Sequence, residues 1–250
     1  MSELRTRWNV SDLRNQLHEF FLLYNSRPIL DNEGGMKSGH MFPSWFVIKQ
    51  LKPAYIIESG VWKGLGTWFF EQASPQSTII SIEPSPQHIV YRSPAVTYQC
   101  EDFTKKDWSH LPKDDTFLFF DDHQNALERI KYAQQCGFKK MMFEDNYPYQ
   151  HGDCYSPKKI LSNKDYCIDK AGQRTWYRKN NADYHYLMNT VKIYQEMNPI
   201  FKGDFTRWGD AWNETNYPTP EPLLPLSEKD KYPLFFNELR DYTWICYVEL

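Results

Sequence analysis

Short β-branched and aromatic runs alternate with stretches of helical spacing along this chain, a pattern that predicts an α/β fold. Leu13, Leu17, Phe20, Phe21 and Tyr24 share one face of a helix expected over 11–24, with Ser11 as its cap. A second helix is expected over 42–51, opened by Pro43. Strands are expected at 54–58, 78–83, 96–100, 116–120 and 140–143. Helices near 64–73 and 124–136 fall between them, the latter closed by Gly137. Residues 147–181 break the pattern, being rich in Tyr, Lys, Asn, Asp and Pro without periodicity, and are expected to form an insertion that acts as a lid. Helical spacing returns over 184–197 (Tyr186, Leu187, Val191, Tyr194), a Pro-rich connection follows at 217–225, and a strong strand closes the chain at 242–248.

Strands that alternate with helices build a mostly parallel sheet, and such sheets bind ligands beyond the carboxyl ends of their strands. Acids stand at each of those ends: Glu58, Glu83, Asp102, Asp121 with Asp122, and Glu144 with Asp145. The first unit carries the most information. Tyr55-Ile56-Ile57 leads into Glu58-Ser59-Gly60, Gly64 follows, and a second run Thr78-Ile79-Ile80-Ser81-Ile82 ends at Glu83. Glycines allow a sharp turn and close approach of backbone to a ligand. A carboxylate after the second strand can accept hydrogen bonds from both hydroxyls of a ribose. The unit therefore reads as a nucleoside site, although the G-x-G-x-x-G dinucleotide fingerprint is absent.

Composition narrows the picture. A chain of 250 residues, 41% hydrophobic, suits one large domain over 1–250 with residues 1–50 as a helical cap. The net charge of −3 gives no general attraction to nucleic acid or anionic membrane, and the nearest basic stretch, Arg174 to Lys179, is short. No signal peptide or membrane span is apparent, and five cysteines in no zinc pattern suit reduced thiols, so a cytoplasmic protein is expected. Aromatics reach 17%, which serves core packing first and flat platforms for a sugar or aromatic acceptor second. Nothing in the sequence excludes a homodimer.

The E-x-G-x-x-x-G turn from Glu58 to Gly64, with Glu83 at the next strand end, resembles the first motif of class I S-adenosylmethionine (SAM) methyltransferases. The resemblance implies a Rossmann-like, doubly wound, seven-stranded sheet with an antiparallel C-terminal strand. It implies that Glu58 holds the methionine end of SAM, that Ser59, Gly60 and Gly64 shape the turn, and that Glu83 holds the ribose. Asp102 and Asp121 complete the expected cofactor set.

The second constellation is Asp121, Asp122, Glu144 and Asp145, acids that would repel one another on one rim unless a hard cation joined them. Phe119-Phe120-Asp121-Asp122-His123 and Phe143-Glu144-Asp145-Asn146 are similar to the metal motifs of Mg²⁺-dependent O-methyltransferases of the catechol, macrolide-sugar and cephalosporin-biosynthesis types. That similarity covers roughly residues 35–150. It implies Asp122, Glu144 and Asp145 as ligands of Mg²⁺, with Mn²⁺ and Ca²⁺ as alternatives. The basic residue that serves as general base in those families would fall at Asn125, or at Gln124 if Asp121 is the metal acid, and neither takes a proton. His123 is the nearest substitute, with Asp122 beside it as the second catalytic residue, and His151 is a further candidate. The reaction expected is methyl transfer from SAM to a hydroxyl of a sugar, glycoside or other diol-bearing small molecule. The alternatives are a metal-independent SAM methyltransferase and a nucleoside-binding module without catalysis.

Overall fold

Ile56, Ile57 and the whole run Thr116 to Phe120 are buried, as strands covered on both faces must be. A computed structural model describes residues 4–250. Five parallel strands, β1 (Tyr55–Ser59), β2 (Thr78–Ile82), β3 (Thr97–Gln99), β4 (Thr116–Phe120) and β5 (Lys140–Phe143), lie within one seven-stranded sheet. β8 (Ile193–Glu196) and β9 (Cys246–Glu249) complete it in the order β3-β2-β1-β4-β5-β9-β8, with β9 antiparallel to both neighbours. The order reverses between β1 and β4, which opens a crevice above their carboxyl ends.

Register fixes what stands at that crevice. Ser59 pairs with Ile82 on one side and Phe120 on the other, and Phe120 pairs with Phe143. The residues that follow therefore leave the sheet at one level. Backbone bonds carry the ladder one step further: Gly60 N–H donates to Ile82 (3.0 Å), Asp121 N–H to Ser59 (2.8 Å) and Glu144 N–H to Phe120 (2.9 Å).

Helices cover both faces. α1 (Val10–Asn25), α2 (Ser38–Leu51) and α3 (Leu65–Ala73) pack on one side, where the Phe20 ring meets Phe42, Trp45, Phe69 and Phe235 at centroid distances of 5.3–5.8 Å. α4 (Ala126–Cys136), α5 (Pro157–Ser162) and α6 (Asn181–Thr190) lie on the other, over Ile57, Leu118 and Met141. Much of the aromatic content thus builds core. All five cysteines are free, and no helix among the described residues is long and apolar enough to cross a membrane.

Several elements differ from the sequence expectation. Asn9, not Ser11, caps α1, in a reciprocal capping box with Asp12. α2 begins at Ser38 and carries Pro43 in its interior, where the missing N–H leaves one first-turn carbonyl without its helical donor. The segment 184–197 is not one helix: α6 ends at Thr190 and Ile193–Glu196 is the edge strand β8. Val191 and Tyr194 continue the helical spacing by coincidence across that break, so periodicity could not reveal it. The final strand starts four residues late, because Trp244 takes φ +66° and the ladder forms only beyond it. Within 147–181 the chain forms α5 and a hairpin of β6 (Tyr166–Lys170) and β7 (Gln173–Tyr177), turned at Ala171 and Gly172 with φ of +53° and +83°. A long connection, residues 197–245, separates β8 from β9 and adds α7 (Pro233–Asn237) to the first core.

Gly60 has φ +93°, and a Cβ there would stand 2.0 Å from the Asp121 carbonyl oxygen. Gly60→Ala is expected to cost about 3 kcal/mol in urea unfolding. Gly209→Ala, also at positive φ (+87°) but with open space around it, is expected to cost about 1 kcal/mol. Equal losses would contradict the close approach of β1 and β4 at this rim.

Candidate functional site

The rim divides into a cleft around the glycine turn and a smaller pocket beside β5. The turn is organised by Glu83. One carboxylate oxygen accepts the N–H groups of Val61 (3.1 Å) and Trp62 (3.0 Å), and the other accepts that of Ser85 (2.9 Å). Gly64 approaches the Tyr91 carbonyl so closely that a Cβ would lie 2.4 Å from it. Glu58 is 1% exposed. Thr67 and Ser81 hydroxyls donate to its Oε2 at 2.6 Å, while Oε1 has no partner among the described residues and faces Gly66. Burial pushes its carboxyl up to about 7, against the pull of the Ser81 and Thr67 hydroxyls.

Residues 31–37 roof this cleft. The Trp62 indole N–H donates to the Glu33 carbonyl (2.9 Å), and the Lys63 ammonium to that of Asp31 (3.0 Å). A Cβ on Gly35 would come within 2.8 Å of the Trp62 ring. Gly34 and Gly35 face Ser59, Gly60, Glu83 and Asp102 across a cleft of about 330 Å³, within the range of small-molecule sites.

Arg129, 5% exposed on α4, clamps the far wall. It forms a two-pronged pair with Asp102 (2.9 and 2.6 Å) and reaches Asp122 at 2.8 Å. The Arg129 hydrogen bonds hold the Asp102 carboxyl far below the usual range. Asp122 also accepts the Ser59 hydroxyl (2.7 Å). The structure thus turns Asp122 toward Arg129, away from β5. Asn125 caps α4, its side chain accepting the Leu127 and Glu128 N–H groups, which gives a structural reason for Asn at that position.

The smaller pocket, about 160 Å³, shares Gly34, Gly35, Asp121 and His123 with the cleft. Asp121, His123 and Asp145 present ligand atoms within 4.8 Å of one another. His123, in the left-handed region at φ +54°, donates its N–H to Asp145 (3.0 Å). Its Nδ1 lies 3.1 Å from Asp153 and 3.2 Å from Asp145. The Asp153 hydrogen bond, then the charge of Asp145, push the imidazole up to about 10, so it is a cation at neutral pH. Glu144 pairs with His40 Nδ1, whose Nε2 accepts the Thr243 N–H (2.8 Å). Burial opposes ionisation of Glu144, but His40 and His123 outweigh it and hold the carboxyl below its usual range. Asp121 and Asp145 move the other way: burial first, then the charge of Glu144, raise both. Asp145 Oδ1 is buried without a hydrogen bond.

His151 is committed elsewhere, with Nε2 on Asp210 (2.7 Å) and the Tyr217 hydroxyl (3.1 Å) and its ring stacked on Trp208 at 4.2 Å. Sequence reasoning missed Arg129, Asp153, Tyr147 and Arg207. The stretch Gly34-Gly35-Met36-Lys37-Ser38-Gly39-His40, which in sequence reads equally as lining for the nucleoside unit or as a plain turn, supplies Gly34, Gly35, Met36, Lys37 and His40 to the cavity walls.

No protein-family model and no curated protein sequence matches the chain. Among solved structures, it superposes on the O-methyltransferase TomG from Streptomyces achromogenes, involved in tomaymycin synthesis and in complex with SAM. The TM-score is 0.50 at 10% identity, covering 99% of this chain and 91% of that one. An O-methyltransferase from Bacillus cereus in complex with SAH gives 0.45 at 12% identity, over 96% and 91%. The SAH-bound Podospora anserina methyltransferase PaMTH1 gives 0.39 at 15% identity over 57% of this chain, which spans 64% of that protein's length. With its strand order and its likeness to TomG, the chain has the Rossmann-like methyltransferase fold.

Glu58 ties stability to pH. Its folded value of about 7 lies above its ordinary 4.5, so the folded state keeps a proton that the unfolded state releases. Stability then falls as pH rises from about 4.5 to 7, by on the order of 3 kcal/mol, and stays lowered above that. Urea unfolding of Glu58→Gln between pH 5 and 8 is expected to lack this decline. Parallel pH profiles for the two proteins would show that Glu58 titrates normally.

Proposed function

We propose that the protein is a SAM-dependent O-methyltransferase, assisted by a divalent cation and acting on a small molecule that carries neighbouring hydroxyls, such as a sugar or glycoside. The supporting observation is the pair of adjoining cavities that meet at Asp121 and His123. One suits the donor and the other the acceptor.

The donor cleft fits an adenosyl ligand on two counts. Gly60 and Gly64 leave no room for a Cβ and bring backbone to the ligand. The buried Glu58 Oε1 is an acceptor without a donor, suited to the cationic methionine end. Glu83 has one oxygen with a single protein donor and so retains capacity for ribose hydroxyls. The turn at 31–37 closes over the cleft and excludes water.

Asp121, Asp145 and His123 offer oxygen and nitrogen ligand atoms within 4.8 Å of one another, and a divalent cation bound there would take the place of the proton that His123 holds 3.2 Å from Asp145 Oδ1. A bound Mg²⁺ supplies Lewis acidity and a template for two adjacent oxygens of the acceptor. Glu144, held by His40, stands behind this set, and Asp122, held by Arg129, braces the wall between the cavities. Asp153 fixes the His123 ring and sets when it carries a proton. With a cation on this set, the acceptor hydroxyl would be acidified directly and its proton passed to solvent. Free cysteines fit a reducing compartment, the cytoplasm.

A second reading draws on the ion pairs. His123 and His40 already place cationic or hydrogen-donating imidazoles on Asp145, Asp153 and Glu144, as a metal-independent enzyme would require. Calorimetry and thermal melting separate the readings. The protein should bind S-adenosylhomocysteine at one site, roughly tenfold more weakly in Glu83→Gln. Mg²⁺ should raise the melting temperature of the wild type and not of Asp145→Asn. Binding of S-adenosylhomocysteine without any Mg²⁺ response favours the metal-independent reading, and no binding rejects both.

A further inference from the structure

Of the charged groups lining the smaller pocket, Asp121 and Asp241 form no ion pair among the described residues, whereas Glu144 is matched by His40 and His123 by Asp153. Three hydrogen-bond donors are also unmatched. Lys37, at the N-cap position of α2, makes no side-chain capping bond and no ion pair among the described residues. Arg207, on the long β8–β9 connection, likewise has no carboxylate or hydrogen-bond partner among the described residues. Tyr147, just beyond β5, is 7% exposed, and its hydroxyl has no hydrogen-bond partner among the described residues. These groups come from three separate segments and line the same pocket of about 160 Å³.

The Tyr147 ring is held in place. The Gly152 backbone, at φ +84°, packs so tightly that a Cβ would overlap the ring, and Trp208 meets it edge-on at 6.0 Å. A hydroxyl held fixed in the same pocket as two cations without ion pairs is suited to a ligand that accepts hydrogen bonds and carries negative charge. Asp241 lines the pocket too and forms no ion pair with Lys37 or Arg207 among the described residues. The α2 N-terminus adds partial positive charge on the Lys37 side, although Glu238 already accepts the Ser38 N–H (2.9 Å).

Resting on the methyltransferase reading, we propose that the acceptor carries an anionic group, a carboxylate or a phosphate, received by Lys37, Arg207 and Tyr147 while its hydroxyl faces Asp121 and His123. The acceptor class is then an acidic sugar or hydroxy acid rather than a neutral glycoside. Lys37 and Arg207 set specificity, and Tyr147 fixes the orientation of the group.

The test is binding measured by NMR titration with S-adenosylhomocysteine present, using D-glucuronate, D-glucose 6-phosphate and methyl α-D-glucoside as probes. At least one anionic probe should bind about tenfold or more tightly than the neutral glucoside, and which one does distinguishes carboxylate from phosphate. Lys37→Met and Arg207→Met should each remove about tenfold of that advantage, and Tyr147→Phe a smaller part, with the S-adenosylhomocysteine affinity of Arg207→Met unchanged. Equal binding of neutral and anionic probes, an advantage that survives in the double Lys37→Met, Arg207→Met variant, or no binding by any of the three would overturn the proposal. Failure of the wild type to bind S-adenosylhomocysteine would instead reject the methyltransferase reading beneath it.

Discussion

The constraint on which the structure turns is the register of β1, β4 and β5. Because Ser59, Phe120 and Phe143 stand in line, the chain must release Gly60, Asp121 and Glu144 at one height. The strands themselves are apolar and buried, so the first polar residues after each one collect along a single edge. Carboxylates concentrated in this way repel one another and resist burial. Much of the surrounding architecture answers that problem.

The answers differ along the rim. On the β3 side a buried arginine from α4 neutralises two acids at once, leaving a rigid wall. On the β5 side the counter-charges are imidazoles, from α2 and from the turn after β4. The two insertions reach only this side. Residues 147–154 bring Asp153 and Tyr147, and the β8–β9 connection brings Arg207 and Thr243. On the proposed methyltransferase reading, the cleft by the glycine turn would take the donor and the pocket reached by these segments the acceptor.

The parallel strands and the acids at their ends were legible in sequence because buried strands are short, apolar and bounded by polar turns. β4 and β5 fall where the apolar runs predict them. The pairing of charges was not legible. Asp121 and Asp122 are adjacent and chemically alike, yet one faces β5 and the other Arg129, and only the direction of the backbone after β4 decides which. Arg129 sits in the first turn of α4 between Glu128 and Ile130 and carries no local signal of its distant partners. β8 was hidden because its residues extend the spacing of α6, and Asn125 looked like a missing base when it is a helix cap.

The most direct test of the central claim is a crystal structure of the protein grown with S-adenosylhomocysteine and Mn²⁺, with anomalous data to locate the metal. The account predicts ribose hydroxyls at Glu83, the amino-acid end near Glu58, and an anomalous peak between Asp121 and Asp145. A ligand lodged away from the glycine turn, or manganese bound at Asp122 or at a remote surface, would contradict it.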